Sequence, residues 1–198
     1  TPASPVRLAF TVDWDPRSRE AFAAHAARFT HVCPEWFTLA AADRPLEAAP
    51  DPVVQETARR EGVVLMPLLR NLAGDAWQPE AVEALSVGPA DRREAFIRQL
   101  TAALEDAGAG GVVLDWGQVD PAYRAPLTGL AGEIAAALHA RGLELWLCIP
   151  MGAELRAFDL ESLASRVDRF VAMLHDENGE DDAPGPLASQ EWFEGWLG

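Results

Sequence analysis

The chain has 198 residues, 49% hydrophobic and 24% charged, the balance of one globular domain long enough to bury a core. Its formal net charge is −15 and all 16 basic residues are arginine, which makes phosphate backbones and anionic lipid surfaces poor partners. No apolar run approaches the roughly 20 residues that cross a bilayer, and no signal peptide is visible.

Residues 1–6, which open Thr1-Pro2-Ala3-Ser4-Pro5, read as a linker ahead of a single domain over 7–198. Short apolar runs predict strands over roughly 7–13, 30–37, 63–70, 111–116, 143–149 and 169–175. Helical patterns lie between them. Asp51 and Pro52 open one helix, as N-cap and first-turn proline, and Gly62 closes it. Phe96, Leu100 and Leu104 recur every four residues within 91–107. Leu127, Leu130, Ile134 and Leu138 form one stripe over 125–140, with Gly142 placed as a C-terminal cap. Asp159 can cap the next helix, with Phe158 and Leu163 as a hydrophobic staple. Residues 40–52, 73–80 and the acidic stretch 176–182 read as long loops.

Six strand–helix alternations predict an α/β fold with parallel strands. That is six of the eight βα units of a (β/α)8 TIM barrel, which typically takes about 250 residues. Strands seven and eight are absent. The chain is therefore either a piece of a longer polypeptide, the reading we favour, or a shortened, open barrel.

The most informative segment is Gly110-Gly111-Val112-Val113-Leu114-Asp115-Trp116-Gly117-Gln118. Side chains alternate along a strand, so Val113, Asp115 and Gly117 share one face and Leu114 and Trp116 the other. A carboxylate facing inward at a strand end is costly to bury alone, so Asp115 is either functional or bonded to backbone at the rim. Glu35, at another inward strand end, leans functional on the same ground. Asp13 and Asp15 can be turn formers before Pro16. His175 reads as a rim histidine rather than a base, because no serine or cysteine nucleophile pairs with it. His25, His31 and His139 lack metal-ligand spacing, and no cofactor is implied. Cys33 and Cys148 fall in different strands and read as two buried thiols rather than a disulfide.

The segment over 110–118 resembles the fourth-strand signature of glycoside hydrolase family 18, the chitinase-like family. The pattern there is Asp-Gly-x-Asp-x-Asp-x-Glu, and its last Glu is the general acid. Gly110 and Val113 stand at the first two acidic positions, Asp115 matches the third, and Gly117 stands where the acid belongs. Other segments follow in order. Leu8-Ala9-Phe10-Thr11-Val12-Asp13-Trp14-Asp15-Pro16 is similar to the first strand of the subgroup fused to a polysaccharide deacetylase and a membrane glycosyltransferase. His31 to Phe37 is similar to the second strand, and Val64 to Asn71 to the third. Phe170 to Glu177 is similar to the sixth, where the family has Met-x-Tyr-Asp; Met173 and Asp176 match and His175 replaces the Tyr. Pro184 to Phe193 is similar to the loop and helix that follow.

The resemblance implies a cleft at the C-terminal ends of the strands for an N-acetylglucosamine-type polysaccharide, and an extracytoplasmic (periplasmic) location. It implies catalytic positions at Asp115 and Asp176, with substrate contacts from Trp14, Glu35, Trp36, Asn71, Met173 and His175. Sugars stack on aromatic rings, which makes Trp14 and Trp36 the expected platforms. Trp116 is expected to pack outward under a helix and Trp146 in the core. Trp192 and Trp196 are expected to serve helix packing, with an exposed apolar patch around Phe193 and Trp196.

Family 18 is a substrate-assisted exception among glycosidases. The substrate's N-acetyl oxygen attacks the anomeric carbon, while a Glu protonates the leaving oxygen. Gly117 can donate no proton, and losing a general acid typically costs about 10²–10⁴ in rate. The expectation is a domain that binds or guides a glycan without cleaving it. One alternative is an active glycosidase whose acid comes from Glu35, Asp120, Asp176 or Glu177. Another is a structural module that docks to neighbouring deacetylase or glycosyltransferase domains. Restoring Gly117→Glu is expected to test whether the rest of the site is intact.

Overall fold

Six parallel strands pair in chain order, each with the next. They are β1 (Leu8–Thr11), β2 (His31–Thr38), β3 in two pieces (Val64–Leu65 and Leu68–Arg70), β4 (Gly111–Asp115), β5 (Glu144–Ile149) and β6 (Arg169–Ala172). The computed structural model describes residues 5–175, 177–178 and 184–197. Among the described residues seven α-helices accompany the strands: α1 (Pro16–His25), α2 (Pro52–Glu61), α3 (Pro79–Val87), α4 (Ala90–Ala107), α5 (Arg124–His139), α6 (Leu160–Ala164) and α7 (Gln190–Leu197). The sheet curls into an open part of a β/α barrel, with β1 and β6 as its two edges.

All six expected strands are present, although β1 stops at Thr11 and β6 at Ala172, short of the expected ends. The cap signals act as read. Asp51 accepts from the N–H groups of Val53 and Val54 at 2.7 and 3.2 Å, and Gly62 ends α2 in the left-handed region. Asp159 accepts from Ser162, and both Phe158 and Leu163 are buried. Asp15, read as a turn former before Pro16, is the N-cap of α1 and accepts from the Arg17 N–H at 3.0 Å. Residues 73–80 are not a plain loop. A tight antiparallel hairpin, Leu72–Ala73 against Ala76–Trp77, runs directly into α3. Within 40–52, Glu47–Ala48 pairs antiparallel with the end of β2.

Alternation along the strands divides the core in two. Val32, Leu69, Val112, Leu114, Leu145 and Leu147 face the helices and join Phe96, Leu100, Leu127, Leu130 and Ile134. On the opposite face lie Cys33, Met66, Leu68, Val113, Trp146 and Cys148, edged by Leu8, Val171 and Met173. Both cysteines are free, and burial pushes their thiols up in pKa. Trp146 closes the floor of this interior at the N-terminal ends of the strands. Its indole donates to Glu144 at 2.6 Å, the His31 ring lies 5.0 Å away, and the Arg169 guanidinium sits 5.4 Å over its face. The interior opens at the C-terminal ends, where β/α barrels carry their chemistry.

Candidate functional site

Three inward-facing side chains meet at those C-terminal ends. Arg70 and Asp115 are register partners on β3 and β4, and Glu35 on β2 pairs opposite Leu68. Arg70 lies 3.0 Å from Glu35 Oε2, an ion pair off the hydrogen-bonding direction, since that buried oxygen has no aligned donor among the described residues. Burial pushes the Glu35 carboxyl up, Arg70 opposes the shift, and Asp13 and Asp115 add to it. Asp115 is perturbed further. Its carboxyl is raised from 3.8 to about 6, chiefly by burial, with Arg70 and His175 opposing the shift and Glu154 adding to it.

Just beyond Asp115 the chain is clamped at Gly117. The Asn71 amide donates to Gly117 O at 3.0 Å and accepts from Gly117 N at 2.9 Å. Asn71 has no exposed surface, so its polar groups are spent on this backbone; the expected substrate contact is corrected to a positioning role. A Cβ on Gly117 would sit 2.7 Å from ring atoms of Trp77, the last residue of the hairpin. The indole thus fills the space into which an acidic side chain here would grow. Gln118 follows with φ +59°, and its N–H donates to Glu154 Oε2 at 3.2 Å.

A cavity of about 500 Å³ lies over this clamp. Trp77, Asp115, Gly117, Glu154, Met173 and His175 line it, together with Trp192 and Trp196 from α7. Glu177 holds α7 in place, because its carboxylate accepts from the Ser189 N–H and, at 2.8 Å, from the Ser189 hydroxyl. The rings of Trp192 and Trp196 stand edge to face, 6.4 Å apart.

The structure brings Asp115, Met173 and His175 together, with Glu35 behind Asp115 and joined to it through Arg70. Asp176 lies outside the described residues. Trp14 is 75% exposed beyond β1 and does not line the cavity. Trp36 is corrected: it is 4% exposed and packed on the helix side of the sheet, so its ring offers no free face. Asp120 caps the turn Pro121–Tyr123, away from the cavity. Trp192 and Trp196 are corrected in the opposite sense, from helix packing to cavity wall. Trp116 packs against the helices as expected, reaches the cavity wall, and has its indole nitrogen buried with no acceptor among the described residues. Sequence reasoning missed Trp77, Arg70 and Glu154. Glu154 carried a signal, because it falls in the loop directly after an apolar strand, where barrel sites are built.

No family model matches the chain. YdhD of Bacillus subtilis (strain 168), a sporulation-specific glycosylase by name, is 25% identical over 143 residues, covering 70% of this chain and 34% of that protein. A chitinase from Chromobacterium violaceum ATCC 12472 superposes with a TM-score of 0.84 at 20% identity, over 96% of this chain and 62% of that one. A class V chitinase from Pseudomonas fluorescens Pf-5 gives 0.87 at 21% identity, over 96% and 62%. The chain thus spans less than two thirds of these relatives. The likeness establishes a chitinase-like barrel fold, and fold alone does not carry function.

Proposed function

We propose that this domain binds a glucosamine-based polysaccharide, of the N-acetylglucosamine type, in the cavity over β4 to β6 and does not hydrolyse it. The observation that carries the reading is Gly117 beneath Trp77. The position matched to a general acid has no side chain, and the space for one is taken by an indole 2.7 Å from where its Cβ would be. Supporting it are the tryptophans of the cavity wall, which offer stacking faces, and Asp115, an acceptor for sugar hydroxyl or amide hydrogens. Met173 and His175 supply further wall contacts, and the resemblance adds Asp176. The names of the chitinases and the glycosylase above support the glycan class.

Titration with chitooligosaccharides and with glucosamine oligomers, followed by tryptophan fluorescence, tests the reading. Saturable change without release of shorter chains is the expected result. Silence across millimolar ligand, or steady cleavage, overturns it. One observation favours a second reading, that of a hydrolase with a displaced acid: Glu154 reaches the backbone beside Gly117, and burial pushes Asp115 up to about 6. That reading requires turnover of an aryl N-acetylglucosaminide that disappears in Glu154→Gln.

A further inference from the structure

The cavity wall is uneven in charge. Asp115, Glu154 and Glu177 bring carboxylates to it, and His175 is the ionisable base among its lining residues. Arg70 stands behind Asp115, engaged with Glu35 at 3.0 Å. The same wall carries the indoles of Trp77, Trp192 and Trp196.

We infer that the cavity selects a positively charged sugar, a hexosamine with a free amine, over its N-acetylated counterpart. This deepens the glycan-binding reading and rests on it. Ionised carboxylates only accept hydrogen bonds, so they match the three donors of an ammonium group and offer nothing to an acetamide carbonyl. Indole faces attract the same cation through the ring quadrupole. Glu154 is the pivotal residue, since the Gln118 N–H fixes one of its oxygens beside Gly117. The neutral N-acetyl group keeps one amide N–H for a carboxylate and gains nothing from the charge or the ring quadrupole.

The electrostatics around Asp115 give the inference a signature of its own. The groups acting on this carboxyl are Arg70 on β3, Glu154 after β5 and His175 after β6, and Glu35 on β2 joins them through Arg70. With its titration at about 6, Asp115 is partly protonated in mildly acidic solution. A cation docking beside it favours the ionised form, so over the range where the sugar amine stays protonated, from about pH 4 to 6, binding expels a proton and tightens as pH rises. A neutral ligand does neither.

Calorimetric titration of the whole chain with a glucosamine hexamer and an N-acetylglucosamine hexamer, in two buffers of different ionisation enthalpy, tests the inference. The charged hexamer is expected to bind about tenfold more tightly, with proton release near pH 5. Glu154→Gln should erase most of that preference. Glu105→Gln, a charge change at the far end of α4, should leave it within about twofold. Equal or tighter binding of the acetylated hexamer overturns the charge preference while leaving glycan binding intact. If neither hexamer binds, the glycan reading itself fails. An equal loss in Glu105→Gln marks bulk attraction to an acidic protein and also overturns the inference.

Discussion

Gly117 and Trp77 form one unit. A glutamate placed at 117 must push the indole aside, and overfilling a close-packed site costs roughly 1–3 kcal/mol. Gly117→Glu alone is therefore expected to lower stability and gain no hydrolysis, so by itself it does not report on the rest of the site. Combined with Trp77→Ala it should regain stability, and denaturant melts of the single and double variants check this. Asp115 governs the response to pH. Its carboxyl binds protons more tightly in the folded chain than in the unfolded one, so it costs stability as pH rises from about 4 to 6 and above. A shift of about two units corresponds to an upper limit of about 3 kcal/mol at neutral pH. Asp115→Asn should accordingly raise the melting temperature at pH 7 and flatten the decline over that interval. Inward-facing Asp115 could be read from alternation alone. The same alternation applied to β2 sets Trp36 opposite inward-facing Glu35, so its burial was equally legible. Trp77, Trp192 and Trp196 were not, because they reach the cavity from segments folded back over the strand ends.

The strands of this chain declare themselves because they are covered on both faces and read as nearly unbroken apolar runs. α2, α4 and α5 declare themselves by stripe and cap. α1 is nearly invisible, since Phe22 is its one buried residue and most of its surface is polar. α3 was obscured by the turn-forming Gly74 and Asp75 before it, and by Pro79, which breaks a helix from within yet starts one at its first position. Where the signal is a cap, the chemistry is testable. Asp51→Ala removes the acceptor for two orphan N–H groups at the start of α2, as well as the partner of Arg19 at 3.1 Å. A loss of about 1–2 kcal/mol is expected, mostly from the cap, since a half-exposed ion pair is worth roughly 0.2–1 kcal/mol. Chemical denaturation of the variant measures it.

Among the described residues the barrel is open, and β1 and β6 are each paired on one side. Between β1 and β6 lies a gap of about 460 Å³ edged by Val6, Leu8, Phe170 and Val171, and Phe10 and Phe170 are exposed on the edge strands themselves. Bare strand edges with apolar side chains invite pairing between molecules, while the net charge of −15 holds molecules apart. The two effects respond differently to salt, which screens repulsion beyond about 10 Å at 0.1 M and leaves apolar contact in place. Light scattering of the isolated chain should therefore show association that grows with ionic strength. Phe170→Lys should suppress it.

The seven indoles are distributed so that the molecule carries its own reference signal. Trp36, Trp116 and Trp146 are sealed from water and should emit beyond the reach of a dissolved quencher such as acrylamide. Trp14 stands almost bare, while Trp77, Trp192 and Trp196 border the hollow. An occupant of that hollow should shelter those three and leave Trp14 as easily quenched as before. Quenching curves can thus separate genuine occupancy from a general tightening of the fold.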